Sequence, residues 1–581
     1  MKDWRNIKYG YALPSEHYCD QPYIVVTKDG HWLCVMTTGQ GVEGQSGQHT
    51  VSTISKDQGR TWSELVDIEP ADGPEASWVT PFLAPSGRVY AFYTYNSANL
   101  RSVRHADGTQ GRRVDTLGDF AFKYSDDGGL SWSEQRYRIP VRAFEIDLAN
   151  PYDGRVRFFW SVCKPIVHKH SVYIGLAKVG RFGAGFMETS EGCFVCSDNL
   201  LTEDDPAQLR WETLPEGTTG LRAPHSLVAD EHNLVSLDSG DLYCTYRTVE
   251  GYNCHAYSRD DGRTWTPPRH AEYAPGGRRI KHPRAANFVR KLASGKYVLW
   301  FHNHGTDRTA DPASAYRDRN PVWLAGGVER DGALYWSQPE IVLYDDDPDT
   351  RMSYPDFIED RGRLFLSETQ KTIARVHPVE WTLLERMWEQ VEQAHGTRAA
   401  EGLVLDWSDA SGGAAATMPR LPTLREGGGF TLEMWVRADD AAPQGEQMLL
   451  GGLAPDGRGI RLALTKQGTV RIELSDGKTL AAWASDRLDP REDGIHHIAV
   501  VVDGGPAIIA FVVNGVLHDG GAARQFGWGR FSPYLSDVNG AEQAQLALIA
   551  QLRIYDRPLA IAECVGNYRA ERALHQGAVQ R

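Results

Sequence analysis

Short apolar segments separated by turn residues recur along the first two thirds of this 581-residue chain. Each unit has two apolar runs joined by a turn that contains Gly, which is typical of antiparallel strand pairs. Examples are PYIVVTKDGHWLCVMTT, PFLAPSGRVYAFYTY, HNLVSLDSGDLYCTYRT and DFIEDRGRLFLSETQ. Six units begin near residues 20, 78, 160, 230, 283 and 354. This repetition predicts a six-bladed β-propeller over residues 1–377.

A second repeat, S-x-D-x-G-x-x-W, occurs at Ser55–Trp62, Ser125–Trp132 and Ser258–Trp265. Ser and Asp side chains can accept hydrogen bonds from the backbone of a tight turn, and Gly permits a positive φ. The Trp then packs as a large apolar anchor. The frame therefore predicts structural turns and no catalytic role.

The pattern changes near residue 376. The segment HPVEWTLLERMWEQVEQAHG has the apolar spacing of one amphipathic helix led by Pro378, which predicts a helical linker over residues 378–401. Alternating strands and Gly-rich turns return from residue 402 and predict an antiparallel β-sandwich jelly roll over residues 402–581. The predicted fold class is all-β.

Charge and composition exclude several partners. A net charge of −14 argues against nucleic acid, which requires a basic surface. No apolar run reaches the ~20 residues of a membrane span. The first residues contain no apolar secretory segment, so we expect a cytoplasmic protein, or a secreted one if a signal has been removed. The oligomeric state stays open.

The three S-x-D-x-G-x-x-W frames resemble the Asp-box (BNR) repeats of sialidases, and the resemblance covers about residues 15–385. It implies a retaining exo-glycosidase that hydrolyses a terminal α-linked acidic sugar of an oligosaccharide or glycoconjugate. It implies no organic cofactor and no metal. The repeats alone identify a structural superfamily, so the chemistry has to be argued from individual residues.

The sialidase resemblance assigns a role to each of four side chains. Glu231, which opens the strand pair EHNLVSLDSGDLYCTYR, matches the catalytic Glu, and Arg247 at its end matches an Arg that binds the substrate carboxylate. Arg319 in RDRNPVWLAGG matches a second such Arg, with Arg317 as competitor. Tyr354 in SYPDF matches the nucleophilic Tyr. A phenol has a free pKa near ~10 and needs a base, which Glu231 would supply.

Two positions depart from the family pattern. Glu43 in GQGVEGQSG stands where sialidases usually carry an Asp acid/base, and a Glu is one methylene longer. Asp20-Gln21-Pro22 stands where the family has an Arg-Ile-Pro motif whose Arg completes the carboxylate-binding triad. The exchange removes a charged hydrogen bond of about 1.5–3 kcal/mol. We expect Asp20 to pair with Arg247 or Arg319 or to bind a sugar hydroxyl. Arg284 and His282 are further candidate pocket residues.

Two other functions remain compatible with these residues. A propeller polysaccharide lyase acting on a uronate-containing glycan would need Arg groups and a His or Tyr base. The chain offers His49, His225, His282 and His302 for that role. The loss of one triad Arg also permits a non-catalytic carbohydrate-binding propeller.

The last third resembles the concanavalin A-like, laminin-G-like family over about residues 402–575. The segments FTLEMWVR, GIHHIAVVVDG, FVVNGV and LRIYDRPL fall in that family's order. This resemblance implies a β-sandwich and leaves open whether the domain binds sugar or calcium, or packs on the catalytic domain.

Overall fold

The computed structural model describes residues 2–183, 186–409, 415–437, 445–489 and 494–576. Strands form 44% of the chain and helices 8%, which confirms the all-β class. The chain divides into two compact units. One comprises residues 7–335 and 347–381, and the other comprises residues 1–6, 336–346 and 382–581. This division follows packing, so the domain boundaries given above stay predictions.

The described residues of the first unit form six antiparallel sheets of four or five strands and one two-stranded sheet, Val103–Arg104 with Gln110–Gly111. Sheet 1 consists of Tyr18–Val26, Trp32–Gly39, His49–Ser55 and Val66–Asp67. Sheet 2 consists of Ala76–Leu83, Val89–Tyr95, Asp119–Ser125 and Tyr137–Arg138. Sheet 3 consists of Phe159–Trp160, Ile166–His168, Ser171–Gly183, Phe186–Ser197 and Glu212–Leu214. Sheet 4 consists of Asp230–Ser236, Leu242–Arg247, Cys254–Ser258 and Arg269–His270. Sheet 5 consists of Phe288–Lys291, Tyr297–Phe301, Val322–Arg330 and Ala333–Trp336. Sheet 6 consists of Ser353–Asp360, Arg363–Thr369, Ala374–Val379 and Tyr11–Ala12.

The first strands of the six sheets meet at one central channel of about 570 Å³. Each sheet contributes to its wall, through residues such as Ile24, Phe82, Ile166, Val235, Arg290 and Phe357. A buried ion pair connects one lining residue of this channel to sheet 6, with Lys164 Nζ 2.6 Å from Asp356 Oδ2. The arrangement is that of a β-propeller. The outermost strand of sheet 6 is Tyr11–Ala12, which pairs with Ala374–Val379 although the two strands are far apart in sequence.

The three repeated frames form turns between the third and fourth strands of sheets 1, 2 and 4. In the first turn Gly59 N donates to Ser55 Oγ at 2.8 Å, and Thr61 N donates to Asp57 Oδ1 at 2.9 Å. The other two turns repeat both bonds with equal lengths. Trp62 Nε1 donates to Gly59 O. These contacts confirm the structural role predicted for the frame, and we call the three segments the Asp-box turns.

The second unit contains two sheets that enclose an apolar core, including Phe430, Leu462, Val500 and Phe511. The first sheet consists of Leu403–Ser408, Ile549–Tyr555, Gly429–Arg437, Ile495–Asp503, Ile508–Val513, Val516–Leu517 and Gly529–Arg530. The second consists of Ala415–Thr417, Gln543–Leu546, Gln447–Leu453, Arg458–Leu464, Thr469–Asp476 and Leu480–Arg487. This is the predicted β-sandwich.

The helices are few and short. The α-helices are Glu145–Leu148, Trp381–Glu392 and Ile561–Gln576, and the 3-10 helices are Ile7–Tyr9, Pro206–Gln208, Pro312–Ser314 and Leu424–Glu426. The remaining strands are Val103–Arg104, Gln110–Gly111 and Glu340–Leu343. Pro378 does not lead a helix, because it lies in the third strand of sheet 6, paired with Phe365. No helix among the described residues is long and apolar enough to cross a membrane.

Candidate active site

Four first strands carry the same backbone irregularity at the channel mouth. In sheets 1, 2, 4 and 6 the register shifts by a bulge at Gln21, Trp78, Glu231 and Tyr354. All four residues have positive φ, between 47° and 63°. A bulge bends its strand and redirects a side chain, and non-Gly residues adopt this φ only when the surrounding structure enforces it. We call these residues the hub bulges.

Tyr354 and Glu231 face each other across the hub. The Tyr354 hydroxyl donates to Glu231 Oε1 at 2.9 Å. Burial raises the pKa of the Tyr354 phenol well above its ordinary value, and the Glu231 carboxylate adds to this effect. Burial also raises the pKa of the Glu231 carboxyl, against the opposing charge of Arg247. The sequence-predicted nucleophile and base are therefore in direct contact.

Arg247 ends the second strand of sheet 4 and lies beside both acidic residues that open that sheet. Its Nη1 is 2.8 Å from Glu231 Oε1, and its Nε is 3.2 Å from Asp230 Oδ2. The second oxygen of Glu231, Oε2, is buried and has no hydrogen-bond partner among the described residues. Arg247 thus orients the Glu231 carboxylate and still reaches the pocket wall.

Arg319 is held by neutral groups. Its Nη1 donates to Ser353 Oγ at 2.6 Å and its Nε donates to Tyr316 O at 3.1 Å. Burial lowers the pKa of its guanidinium, although Tyr354 and Glu231 counteract this. Within the described residues no carboxylate forms an ion pair with Arg319. This leaves its positive charge for a bound anion.

Asp20 does not pair with either arginine, contrary to expectation. Its Oδ2 accepts hydrogen bonds from Tyr18 OH at 2.8 Å and from Lys371 Nζ at 2.6 Å, and its Oδ1 accepts one from Gln21 N. Burial raises the pKa of the Asp20 carboxyl, while Lys371 counteracts the rise. Lys371 is closer because the hairpin between the second and third strands of sheet 6 places it above the first strand of sheet 1.

Glu43 reaches the pocket from the loop between the second and third strands of sheet 1. Its Oε1 lies 3.2 Å from Arg113 Nη2 and 3.3 Å from Lys371 Nζ. Burial raises the pKa of Glu43, but Lys371 and Arg113 outweigh this effect and bring the pKa to about 2. Its side chain keeps 29% of its surface exposed. Glu43 is therefore a carboxylate at neutral pH.

These side chains surround a pocket of about 450 Å³. Among the described residues its wall contains six cationic side chains and one carboxylate, Glu43; the cationic side chains are Arg113, Arg247, Arg317, Arg319, Arg351 and Lys371. Trp78, Trp160, Phe186, Met187 and Tyr316 add an apolar part. The Trp78 ring meets Tyr354 edge-on, with centroids 5.9 Å apart. Such a wall favours an anionic ligand with an apolar face.

Two predicted pocket residues lie elsewhere. Arg284 is fully buried, and its Nε donates to Asp230 Oδ2 at 2.9 Å behind the pocket. His282 is also fully buried; its Nε2 lies 2.8 Å from Ala285 O, and burial lowers its pKa to about 3. His49, His225 and His302 do not belong to the pocket wall either. Arg284 and His282 are absent from this wall because both side chains are fully buried.

Sequence reasoning missed Lys371, Arg113, Arg351 and Trp78. The hairpin SETQKTIA and the loop QGRRVD contain no motif that marks a site. Trp78 did carry a signal, since it lies where the second repeat unit begins. It occupies the same bulge position at the start of its unit as Glu231 and Tyr354 do in theirs. No cluster of three or more metal-ligating side chains exists among the described residues.

Comparisons with known proteins agree with this architecture. Residues 74–366, just over half of the chain, match the family model of the BNR repeat-like domain. Residues 410–564 match the model of the concanavalin A-like lectin/glucanases superfamily. A comparison with curated proteins gave no match.

Similar solved structures include three with low identity. Trypanosoma rangeli sialidase in complex with the inhibitor DANA is 13% identical, with a TM-score of 0.43, 95% of this chain and 94% of that chain covered. A protein of unknown function from Dyadobacter fermentans is 15% identical, with a TM-score of 0.42 and coverages of 64% and 97%. The Hadza microbial sialidase Hz136 is 16% identical, with a TM-score of 0.41 and coverages of 63% and 66%. Because these TM-scores are low, the assignment of the fold depends on the observed sheets and on the family models. The match to the BNR repeat-like domain covers more than half of the chain, and the chain therefore belongs to that family.

Proposed function

We propose that the pocket hydrolyses the glycosidic bond of a terminal acidic sugar, with retention of configuration. One observation carries the proposal: the Tyr354 hydroxyl contacts Glu231 at 2.9 Å in a pocket whose wall is strongly cationic. A buried phenol bonded to a buried carboxylate is an activated nucleophile with its base. The cationic wall supplies the preference for an acidic sugar.

In the first step the Tyr354 oxygen attacks the anomeric carbon while its proton passes to Glu231. The bond to the leaving oxygen breaks, and that oxygen takes a proton from Glu43 in its acid form. The raised pKa of Glu231 suits a base, and the high pKa of Tyr354 explains why the base is required. A neutral phenol approaches an anionic sugar without charge repulsion.

In the second step water attacks the anomeric carbon of the glycosyl-tyrosine. Glu43 accepts the proton of that water, the bond to Tyr354 breaks, and the phenolate regains its proton from Glu231. The carboxylate form of Glu43 in the free site suits this step. The protonated form needed in the first step is more abundant in acid, so we expect an acidic optimum.

Arg247 and Arg319 would bind the substrate carboxylate. Both belong to the pocket wall, and Arg319 has no carboxylate partner among the described residues. A guanidinium presents two parallel N–H groups, which matches the geometry of a carboxylate. This explains why both side chains are arginines.

The experiment is an assay with a panel of aryl α-glycosides that includes acidic and neutral sugars. The expected result is release of aryl alcohol from an acidic sugar, and retention at the anomeric carbon by NMR. Uronate polymers are incubated in parallel with ultraviolet detection. A rising absorbance without aryl alcohol release would indicate β-elimination and refute hydrolysis; no product in any arm would indicate a binding protein.

A further inference from the structure

Lys371 is held rigidly at the edge of the pocket. It lies in the hairpin between Arg363–Thr369 and Ala374–Val379 with a φ of 75°. Its backbone N–H donates to Thr369 Oγ1 at 2.9 Å, and its carbonyl accepts from Cys19 N at 2.9 Å. The hairpin is thereby tied to sheet 1, so the side chain starts from a fixed point.

The ammonium group of Lys371 lies over the nucleophile. Its Nζ is 4.4 Å from the centre of the Tyr354 ring and 5.8 Å from that of Trp78. The side chain is 19% exposed and forms part of the pocket wall. A ligand atom bonded to Tyr354 would therefore be close to this cation.

An ammonium group has three N–H donors. In Lys371 one points to Asp20 Oδ2 at 2.6 Å and one to Glu43 Oε1 at 3.3 Å. No third acceptor is present among the described residues. Asp20 is almost completely buried and is fixed by Tyr18 and the backbone of Gln21, so it anchors the lysine from below.

We propose that Lys371 determines substrate specificity, by donating its third N–H to the anionic group of the sugar while Asp20 holds it in place. This inference rests on the proposed function and adds a residue to it. Together with Arg247 and Arg319, Lys371 surrounds Tyr354 with three cations drawn from sheets 4, 5 and 6. Asp20 stands on sheet 1 where the family has an Arg. In this chain Lys371, in the hairpin of sheet 6, supplies the third positive charge instead.

A simpler role for Lys371 would be to neutralise Asp20. The two roles are separated by comparing Lys371→Met, Lys371→Arg and the double variant Asp20→Asn with Lys371→Met. The double variant leaves no unpaired buried carboxylate at position 20 and protects the fold. Lys169→Met is the matched control, because Lys169 is also in a hairpin with positive φ and pairs with Asp261 outside the pocket.

The substrates are the acidic aryl glycoside that the wild type hydrolyses and its carboxyl methyl ester. Lys371→Met is expected to lower kcat/KM about 10- to 100-fold more for the acid than for the ester, since one charged hydrogen bond to the anionic group is lost, whereas any effect through Glu43 acts on both substrates. Lys371→Arg should retain the preference for the acid, and the double variant should stay impaired. Equal losses on both substrates, or recovery in the double variant, would overturn the proposal.

A second measurement needs no turnover. Sodium sulfate is titrated at constant ionic strength, and tryptophan fluorescence reports binding through the nearby Trp78. Saturable quenching is expected in the wild type and Lys371→Arg, with a Kd about 10- to 100-fold higher in Lys371→Met because one charged hydrogen bond to the anion is lost; identical curves would overturn the proposal. If no glycoside is hydrolysed, the proposed function is wrong. The titration then still tests whether Lys371 binds an anion.

Discussion

The Asp-box turns and the hub bulges both recur around the propeller, but different properties are repeated. In the Asp-box turns the residue types and the hydrogen bonds are the same, as in Ser55, Asp57 and Gly59. In the hub bulges only the backbone is repeated, and the side chains are Gln21, Trp78, Glu231 and Tyr354. Repeated chemistry at the periphery maintains the fold, whereas repeated geometry at the hub leaves each side chain free to take a separate role.

The largest effect is expected at a hub bulge. Tyr354→Phe removes the proposed nucleophile and should lower kcat by at least about 10³-fold. The matched control is Tyr93→Phe, because Tyr93 is also a buried tyrosine bonded to a glutamate, Glu69, but lies outside the pocket wall. The control should keep its rate within about twofold. Full hydrolysis by Tyr354→Phe would remove the assigned nucleophile.

A second hub substitution tests the base. Glu231→Gln should lower kcat/KM by about 10²- to 10³-fold, the usual contribution of a general base. In the wild type, kcat/KM should fall as pH rises through the raised pKa of Glu231, because the active form carries one proton, on Glu43, and above that pKa both carboxyl groups are ionised. The variant should lack this change of slope, because only Glu43 then titrates. A pH profile with the same change of slope in both proteins would exclude Glu231 as the base.

An Asp-box substitution should affect stability and spare the chemistry. Asp57→Ala breaks the bonds to Thr61 N, Thr61 Oγ1 and Ser55 Oγ. The free energy of unfolding should fall by about 1–2 kcal/mol in urea titrations. The kcat of the folded protein should not change. A lower kcat at unchanged stability would contradict the separation of the two repeats.

The smallest effect is expected inside an Asp-box turn. Gly128 occupies the same place as Gln58 and Asp261, which both have positive φ. A Cβ at Gly128 would meet nothing within 4 Å. Gly128→Asn should therefore cost only about 0.5–1 kcal/mol, since Asn tolerates this conformation. A melting curve displaced as strongly as that of Asp57→Ala would show that this position is more constrained than the geometry indicates.

This contrast also explains what could be predicted from the sequence. The Asp-box turns and the strand pairs are local patterns that the sequence shows directly. Four site residues lie along these repeat units in the order of the sialidase pattern: Glu231, Arg247, Arg319 and Tyr354. Lys371 could not be found, because its role depends on sheet 6 lying beside sheet 1. Arg284 resembled a pocket residue, yet it lies under the Tyr316 ring, 5.0 Å from its centre, and pairs with Asp230. The burial of Arg284 depends on how the surrounding loops pack, and no local sequence pattern shows this packing.

The pairing of Tyr11–Ala12 with the third strand of sheet 6 has a consequence for the order of synthesis. Tyr11 pairs with Val376, so this strand is synthesised more than 300 residues before its partner. Sheet 6 also supplies Tyr354, so the proposed nucleophile belongs to the part of the ring that is completed last. A nascent chain can therefore form the earlier sheets before Tyr354 reaches the hub.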